Sequence, residues 1–254
     1  MNPLDLITSH PPALRDLIAI LMLFAAWFGI GWFTENPPAG RPSVSVLMTR
    51  FRHEWMRQFV TREPRIFDGN ILSSLREGTA FFASACMIAT GGLLALIGNA
   101  ERLRGIAVEL EFNPTTETGW ELRLLVTMFF IVNAFLKFVW AHRLFGYCAV
   151  IMASVPNNAA HPEADNRALQ AGDLNITAAR SFNAGLRSVY FALGSLGWLG
   201  GAWALMVGTA IVLWITWRRE FNSTSRRVIL RALPPAVLSD PDAVQKSRPQ
   251  PPQA

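Results

Sequence analysis

The chain has 254 residues, of which 51% are hydrophobic and only 16% charged; with nine tryptophans and a mean hydropathy of +0.27 it is too apolar for an ordinary soluble domain. Its net charge of +5 and pI near 10.0 would suit nucleic acid in a soluble protein. No basic stripe interleaved with stacking aromatics lies outside the apolar segments, so nucleic acid is not an expected partner. The expectation is an all-α, polytopic membrane protein whose basic residues meet anionic headgroups and fix its topology.

Four segments approach the roughly 20 apolar residues that a helix needs to cross the hydrocarbon core: about 17–33, 79–98, 122–153 and 188–217. They predict about four transmembrane helices in a single membrane domain over residues 1–232. The first has no basic leader and no small-residue cleavage site, and Asp16 follows Arg15, so it reads as an uncleaved anchor. Trp32, Trp120, Trp214 and Trp217 stand at segment ends, as interfacial anchors do.

In the first loop, "SVSVLMTRFRHEWMRQFV" places Val44, Leu47, Met48, Phe51, Trp55 and Phe59 at spacings of three and four. Arg50, His53, Glu54 and Arg57 fall on the other side, where His53 and Glu54 are expected to be solvated. This predicts a basic amphipathic helix after Pro42, with Ser43 as N-cap and Pro64 beyond its end. Such a helix lies flat on the inner leaflet, or its apolar face packs against the ends of the membrane helices. "HEWMR" begins like a zinc-protease motif but carries Arg57 in place of the second histidine, so no metal site is expected.

Orientation signals conflict. Arg41, Arg50, Arg52, Arg57, Arg62, Arg65 and Arg76 make the first loop cytoplasmic, yet Arg218, Arg219, Arg226, Arg227 and Arg231 make the C-terminal tail basic too. Four full spans would put these on opposite sides. Either "GSLGWLGGAW" breaks the last segment into a re-entrant or hairpin element, or the first loop alone sets orientation; the second, with four spans, is the expectation.

The third segment carries Lys137, His142 and Arg143. Its 32 residues would make about 48 Å of helix against a core of about 30 Å, so it must protrude. Asn133, Lys137, Trp140 and Cys148 share one helical face with Arg143 on its flank. The cations either snorkel or tie helices together, or they line a path for an anionic substrate or lipid headgroup. In the last segment Gly197, Gly201, Ala204 and Gly208 form a small-residue groove, and the second offers Ala80, Ser84 and Gly91 or Gly92; both suit close helix contact within or between protomers. Cys86 and Cys148 read as packing residues. Residues 233–254 are Pro-rich and are expected to be a disordered tail. There is no nucleophile-elbow, phosphate-loop or dinucleotide motif, and no paired histidines or thiolate cluster, so neither an enzyme nor a cofactor is expected.

Several stretches taken together resemble the bacterial branch of the domain of unknown function 599 family, which are multi-span membrane proteins. They are "TRFRHEWMRQFVTREPRIFDGNILSSLREGTAFFASACMIATGGLLALIG", "FLKFVWAHRLFGYCAVIMASVPN", "NAGLRSVYFALGSLGW" and "RREFNSTSR". The resemblance places the family pattern on Arg50, Trp55, Met56, Arg62, Glu63, Arg65 and Asp68, then on Leu75, Ala83 and Ser84. It continues on Lys137, Arg143, Asn183, Gly185, Leu186, Arg187, Tyr190 and Phe191, and ends on Arg218, Arg219, Glu220 and Phe221. It implies a membrane protein and supplies no reaction. Arg62, Glu63, Arg65 and Asp68 are expected to form an ordered charge network, with a helix-start cap as the alternative role of Asp68.

The expected function is therefore a helix-assembly or accessory component of the bacterial inner membrane, multi-pass, with membrane lipids and a homo-oligomer or a larger membrane complex as partners. The alternative is a small oligomeric transporter or channel in which Asn133, Lys137 and Arg143 line a cationic path. A third reading, a membrane enzyme acting on lipid, would rest on His142 and Arg143.

Overall fold

The computed structural model describes residues 12–38, 40–99 and 117–232, and among these every regular element is helical. The Pro-rich tail expected over 233–254 lies outside the described residues. The elements are α1 (Pro12–Glu35), α2 (Val44–Thr61), α3 (Ile66–Ile97), α4 (Glu117–Ala153), α5 (Ala164–Ser195), a 3-10 turn (Leu196–Gly200), α6 (Ala202–Phe221) and α7 (Thr224–Arg231). Three of these contain stretches long and apolar enough to cross a membrane: Leu14–Glu35, Ile66–Ile97 and Gly119–Ala153. The long apolar helices mark a membrane protein.

The expected fourth span over 188–217 is not one helix. Its first residues end α5, which begins far upstream at Ala164, and its remainder is α6. Between them the backbone turns at Gly201, whose φ of 101° suits a residue without a Cβ. A Cβ on Gly208 would lie 2.8 Å from the Gly194 carbonyl oxygen, and one on Gly197 would lie 2.7 Å from that of Ala204. In a straight helix Gly194 and Gly208 would stand about 21 Å apart, so the chain reverses here into a tight helical hairpin. The small-residue groove closes on its own hairpin partner.

α5 was hidden at its N-terminal end by polar residues. Asp165, Arg167, Asp173 and Arg180 break any apolar run, but Ala164, Ala168, Ala171 and Ala178 are buried at helical spacing. An alanine stripe allows close approach and gives a weak hydropathy signal.

The chain divides into two compact units. The first takes its described residues from Met1–Gly31, Ala85–Ala134 and Leu186–Thr216; the second takes them from Trp32–Ser84, Phe135–Gly185 and Trp217–Ala254. The first is held by aromatic packing. Phe24 stacks on Phe130 at 5.4 Å between centroids, Trp27 meets Phe130 edge-on at 5.4 Å, and Phe130 lies 6.2 Å from Phe191. Two polar pairs accompany the rings: the buried Thr127 Oγ1 with Ser195 Oγ at 2.9 Å, and, in a partly buried pair, Ser188 Oγ donating to Asn133 Oδ1 at 3.0 Å.

The second unit has a core from four helices: Met56, Phe59 and Val60 of α2, Leu72 of α3, Leu144, Phe145, Cys148 and Met152 of α4, and the alanines of α5. Ser43 caps α2 as expected, accepting from Val46 N at 3.2 Å and donating its hydroxyl to the Thr34 carbonyl at 2.7 Å. α2 packs against protein. A Cβ at Gly172 of α5 would come within 3.1 Å of His53 Cδ2 and 3.3 Å of Met56 Cγ, so glycine there lets α5 reach α2. Of its expected apolar face Leu47 and Phe59 are buried and Phe51 and Trp55 half-buried. The buried set is rotated to include Val46, Thr49, Met56 and Val60.

Candidate functional site

The second unit gathers most of the candidate charges. At the corner between α2 and α3, Asp68 has no exposed surface. Its Oδ1 accepts from Trp55 Nε1 at 2.6 Å and from Arg62 Nη1 in a short ion pair. It also stands in the first turn of α3, where a carboxylate complements the helix dipole. Arg62 covers the Phe67 ring at 5.7 Å.

Arg65 makes a separate clamp. Its guanidinium donates to the carbonyls of Val60 at 3.0 Å, Val155 at 2.9 Å and Pro156 at 2.9 Å, and to Asn157 Oδ1 at 3.4 Å. It lies over Phe59 at 4.7 Å. The planar five-donor fork of arginine suits this many acceptors; a lysine ammonium could reach fewer. Glu63, expected in the same network, is exposed. The local sequence explains the split: Asp68 is one turn into α3 and faces α2, whereas Arg65 precedes the helix and faces the segment after α4.

Two polar links join α2 to α5. Arg52 Nη1 donates to Asn175 Oδ1, and His53 Nε2 contacts Asp173 Oδ1 at 2.8 Å. His53 was expected to be solvated; its side chain is only 15% exposed, because the buried face of α2 is rotated toward α5. Burial pushes the Arg52 guanidinium below its ordinary pKa. Glu220, at the end of α6, accepts from the Ser45 backbone N at 3.1 Å and from its hydroxyl at 3.0 Å, and Asn183 donates to the same hydroxyl at 3.3 Å. A carboxylate here satisfies the free amide of α2's first turn. Beyond α6, Arg226 Nε donates to the Pro42 carbonyl at 3.0 Å, and burial followed by the nearby Arg41 charge lowers its pKa.

The remaining candidates are placed apart from these clusters. Lys137 is exposed on α4, and so is Arg143, which donates to Tyr147 Oη at 2.8 Å and covers the rings of Trp140 and Tyr147 at 5.9 Å each. Asn133, read on the same face, is half-buried and bonded to Ser188. His142 is held by the Arg76 carbonyl at 3.3 Å and Thr79 Oγ1 at 3.4 Å from its Nδ1. Arg50 has its Nη1 buried without a hydrogen-bond partner. Arg218 and Arg219 are exposed, and Arg187 is buried in the first unit.

Sequence reasoning missed Asp173 and Asn175, which sit on the part of α5 it did not read as helix. It also missed a first-unit cluster in which Trp198 Nε1 donates to Asp16 Oδ1 at 2.8 Å while Arg123 covers the Trp198 ring at 5.7 Å. Asp16, at the start of α1, and Trp198, in the glycine-rich turn, carried only isolated signals.

Two clefts open in the second unit. One, of about 250 Å³, is bordered by Arg52, Arg180, Asn183 and Glu220. The other, of about 400 Å³, has Arg65, Arg76, Ser73 and Asn157 on its polar wall. Among the described residues no cluster of three or more histidine, cysteine or acidic side chains is arranged to hold a metal.

The family described as "Protein of unknown function, DUF599" matches residues 18–225, and the chain belongs to it. No curated protein and no solved structure matches the chain.

Proposed function

We propose that this protein is a five-crossing membrane component that works by assembling with a second copy of itself in the bilayer. The crossing count rests on parity together with the α5–α6 hairpin read as a full pair of crossings, since parity by itself is met equally by three crossings with that hairpin re-entrant. Arg226 bonds to Pro42, and Glu220 bonds to Ser45, so the first loop and the segment after α6 share one side. That requires an even number of crossings between them, which α3, α4, α5 and α6 supply as two pairs. With α1 the total is five. A hairpin of this kind supports a reading in which both basic segments are cytoplasmic, as in the bacterial inner membrane, and α1 starts on the outer side. The membrane domain over residues 1–232 then holds five spans in place of four.

The observation that carries the assembly reading is the pair Gly91 and Gly92 on α3. Glycine in a helix costs about 1 kcal/mol against alanine, and at Gly172, Gly185, Gly194, Gly197 and Gly208 a neighbour in the chain fills the missing Cβ. At Gly91 and Gly92, as at Gly29, Gly69, Gly78 and Gly146, nothing lies within 4 Å, and this pair is set apart by being adjacent within the apolar length of α3. Around them Met87, Ile88 and Leu94 are 61%, 77% and 54% exposed, and only 11% of the apolar window of α3 is buried. Small residues beside large ones on a lipid-exposed face suit close approach of another helix.

The test is native mass analysis after mild detergent extraction, comparing the protein with Gly91→Leu and Gly92→Leu. The expected result is a homo-oligomer that either substitution reduces to a single chain of 28.2 kDa. A wild-type protein found only as single chains would refute self-assembly; stoichiometric foreign subunits would assign the same face to an accessory role.

A further inference from the structure

The 400 Å³ cleft is bordered by two arginines and no carboxylate. Neither Arg65 nor Arg76 has an ion-pairing partner among the described residues. Arg65 is fixed by carbonyls and an amide, which orient its guanidinium without neutralising it. Arg76 carries a buried Nε with no hydrogen-bond acceptor. A donor desolvated without an acceptor is unfavourable in a folded chain, and Arg76 lines the cleft, where its guanidinium has no carboxylate to compete with an anionic ligand. Glu77, on the next residue, accepts the Ser73 hydroxyl at 3.2 Å, is exposed, and does not line the cleft.

Depth supplies the second argument. Residues 78–97 contain no charged side chain and match a hydrocarbon core of about 30 Å. Arg76 therefore stands at the membrane boundary. His142 of α4, bonded to the Arg76 carbonyl, marks the same level. The cleft runs from this level away from the apolar part of α3, along the turn that carries Gly69 and Ser73. Leu72 and Met152 also line it, so cationic and apolar side chains border the same cleft.

We propose that this cleft binds a phosphate ester, with Arg76 as the principal cation, Arg65 as a fixed second charge, and Ser73 and Asn157 as hydrogen-bonding neighbours. Guanidinium groups bind phosphate oxygens through charge-assisted bonds, and the volume lies within the range of small-molecule sites. The ester is supplied either by an anionic glycerophospholipid of the inner leaflet or by a soluble phosphate. The lipid source depends on the membrane placement of Arg76, and the soluble source does not. Neither depends on self-assembly.

The experiment uses the full-length protein and two probes. Native mass spectrometry compares retention of phosphatidylglycerol with that of phosphatidylcholine, and thermal shift in lipid-free detergent follows added glycerol 1-phosphate. Arg76→Gln is expected to weaken the responding probe about tenfold or more, Arg76→Lys less, and the exposed Arg57→Gln not at all. Ser73→Trp, at an exposed position on the rim, should block the cleft and serves if Arg76→Gln does not fold. A response to phosphatidylglycerol alone assigns the lipid, and a response to glycerol 1-phosphate assigns a soluble ester. Wild-type protein that binds neither probe, or variants R76Q and S73W that bind both as wild type does, would overturn the proposal.

Discussion

Trp55 and Asp68 meet across the α2–α3 corner through a 2.6 Å hydrogen bond from indole Nε1 to a carboxylate that has no exposed surface. The carboxylate is tolerable there because Arg62 pairs with the same oxygen. Removing one member of such a buried pair leaves the others unmatched, which costs more than the pair itself contributes. Asp68→Ala should destabilise the protein by about 2–3 kcal/mol, below the fully buried case because Arg62 keeps some access to water. In a chain of this size that is a fall of roughly 5–10 °C in Tm. Trp55→Phe should lower Tm by less than half as much. A Tm unmoved by Asp68→Ala would show that the corner does not depend on its charge.

Arg65 offers a cleaner separation of geometry from charge. Arg65→Lys keeps the cation but cannot serve four acceptors at once. The carbonyls of Val155 and Pro156 would lose their partner, at a cost of about 1–3 kcal/mol. Limited proteolysis should then cut between α4 and α5 faster than in wild type. Equal cleavage rates would mean the clamp is dispensable for holding that segment.

Much of the fold was legible because apolar length is a strong signal. The three long spans and the Ser43 cap of α2 were read from residue pattern alone, and the family resemblance was carried by quoted stretches that the family match covers. The N-terminal end of α5 was not legible, since an alanine stripe among charged residues mimics a polar loop. The same gap concealed Asp173 and Asn175, and with them the burial of His53. Charges were easy to find and hard to pair: of the neighbours Arg62, Glu63, Arg65 and Asp68, Arg62 and Asp68 pair with each other, Arg65 turns to backbone carbonyls and Glu63 is exposed. For Lys137 the sequence left lining and snorkelling open, and the side chain is exposed on α4.

The hairpin predicts a severe response to small changes in volume. Gly197→Val and Gly208→Val would each drive a side chain into a backbone carbonyl less than 3 Å from its Cβ, an approach that flexible side chains cannot relieve. Both should prevent recovery of folded protein. Gly201→Ala faces strain at φ 101° and should lower stability by about 1–2 kcal/mol while still folding. Monodispersity after extraction reads the first pair, and Tm reads the third. Well-folded Gly197→Val and Gly208→Val proteins would mean that the two helices do not pack this closely.

The shared side of the first loop and α7 is tested by cysteine accessibility, for which the chain is suited because its native Cys86 and Cys148 are both buried. Gln58 of α2, Ser225 of α7 and Asn99 after α3 are exposed positions for single cysteines. With an impermeant thiol reagent on intact cells, Gln58→Cys and Ser225→Cys should stay unlabelled and react only after permeabilisation. Asn99→Cys should react at once. The informative comparison is between the first two, since parity ties them together. If Ser225→Cys is labelled from outside while Gln58→Cys is protected, an odd number of crossings separates them and α5 and α6 do not both span. Reversed labelling of all three would keep the even parity and invert the protein, placing its basic segments outside.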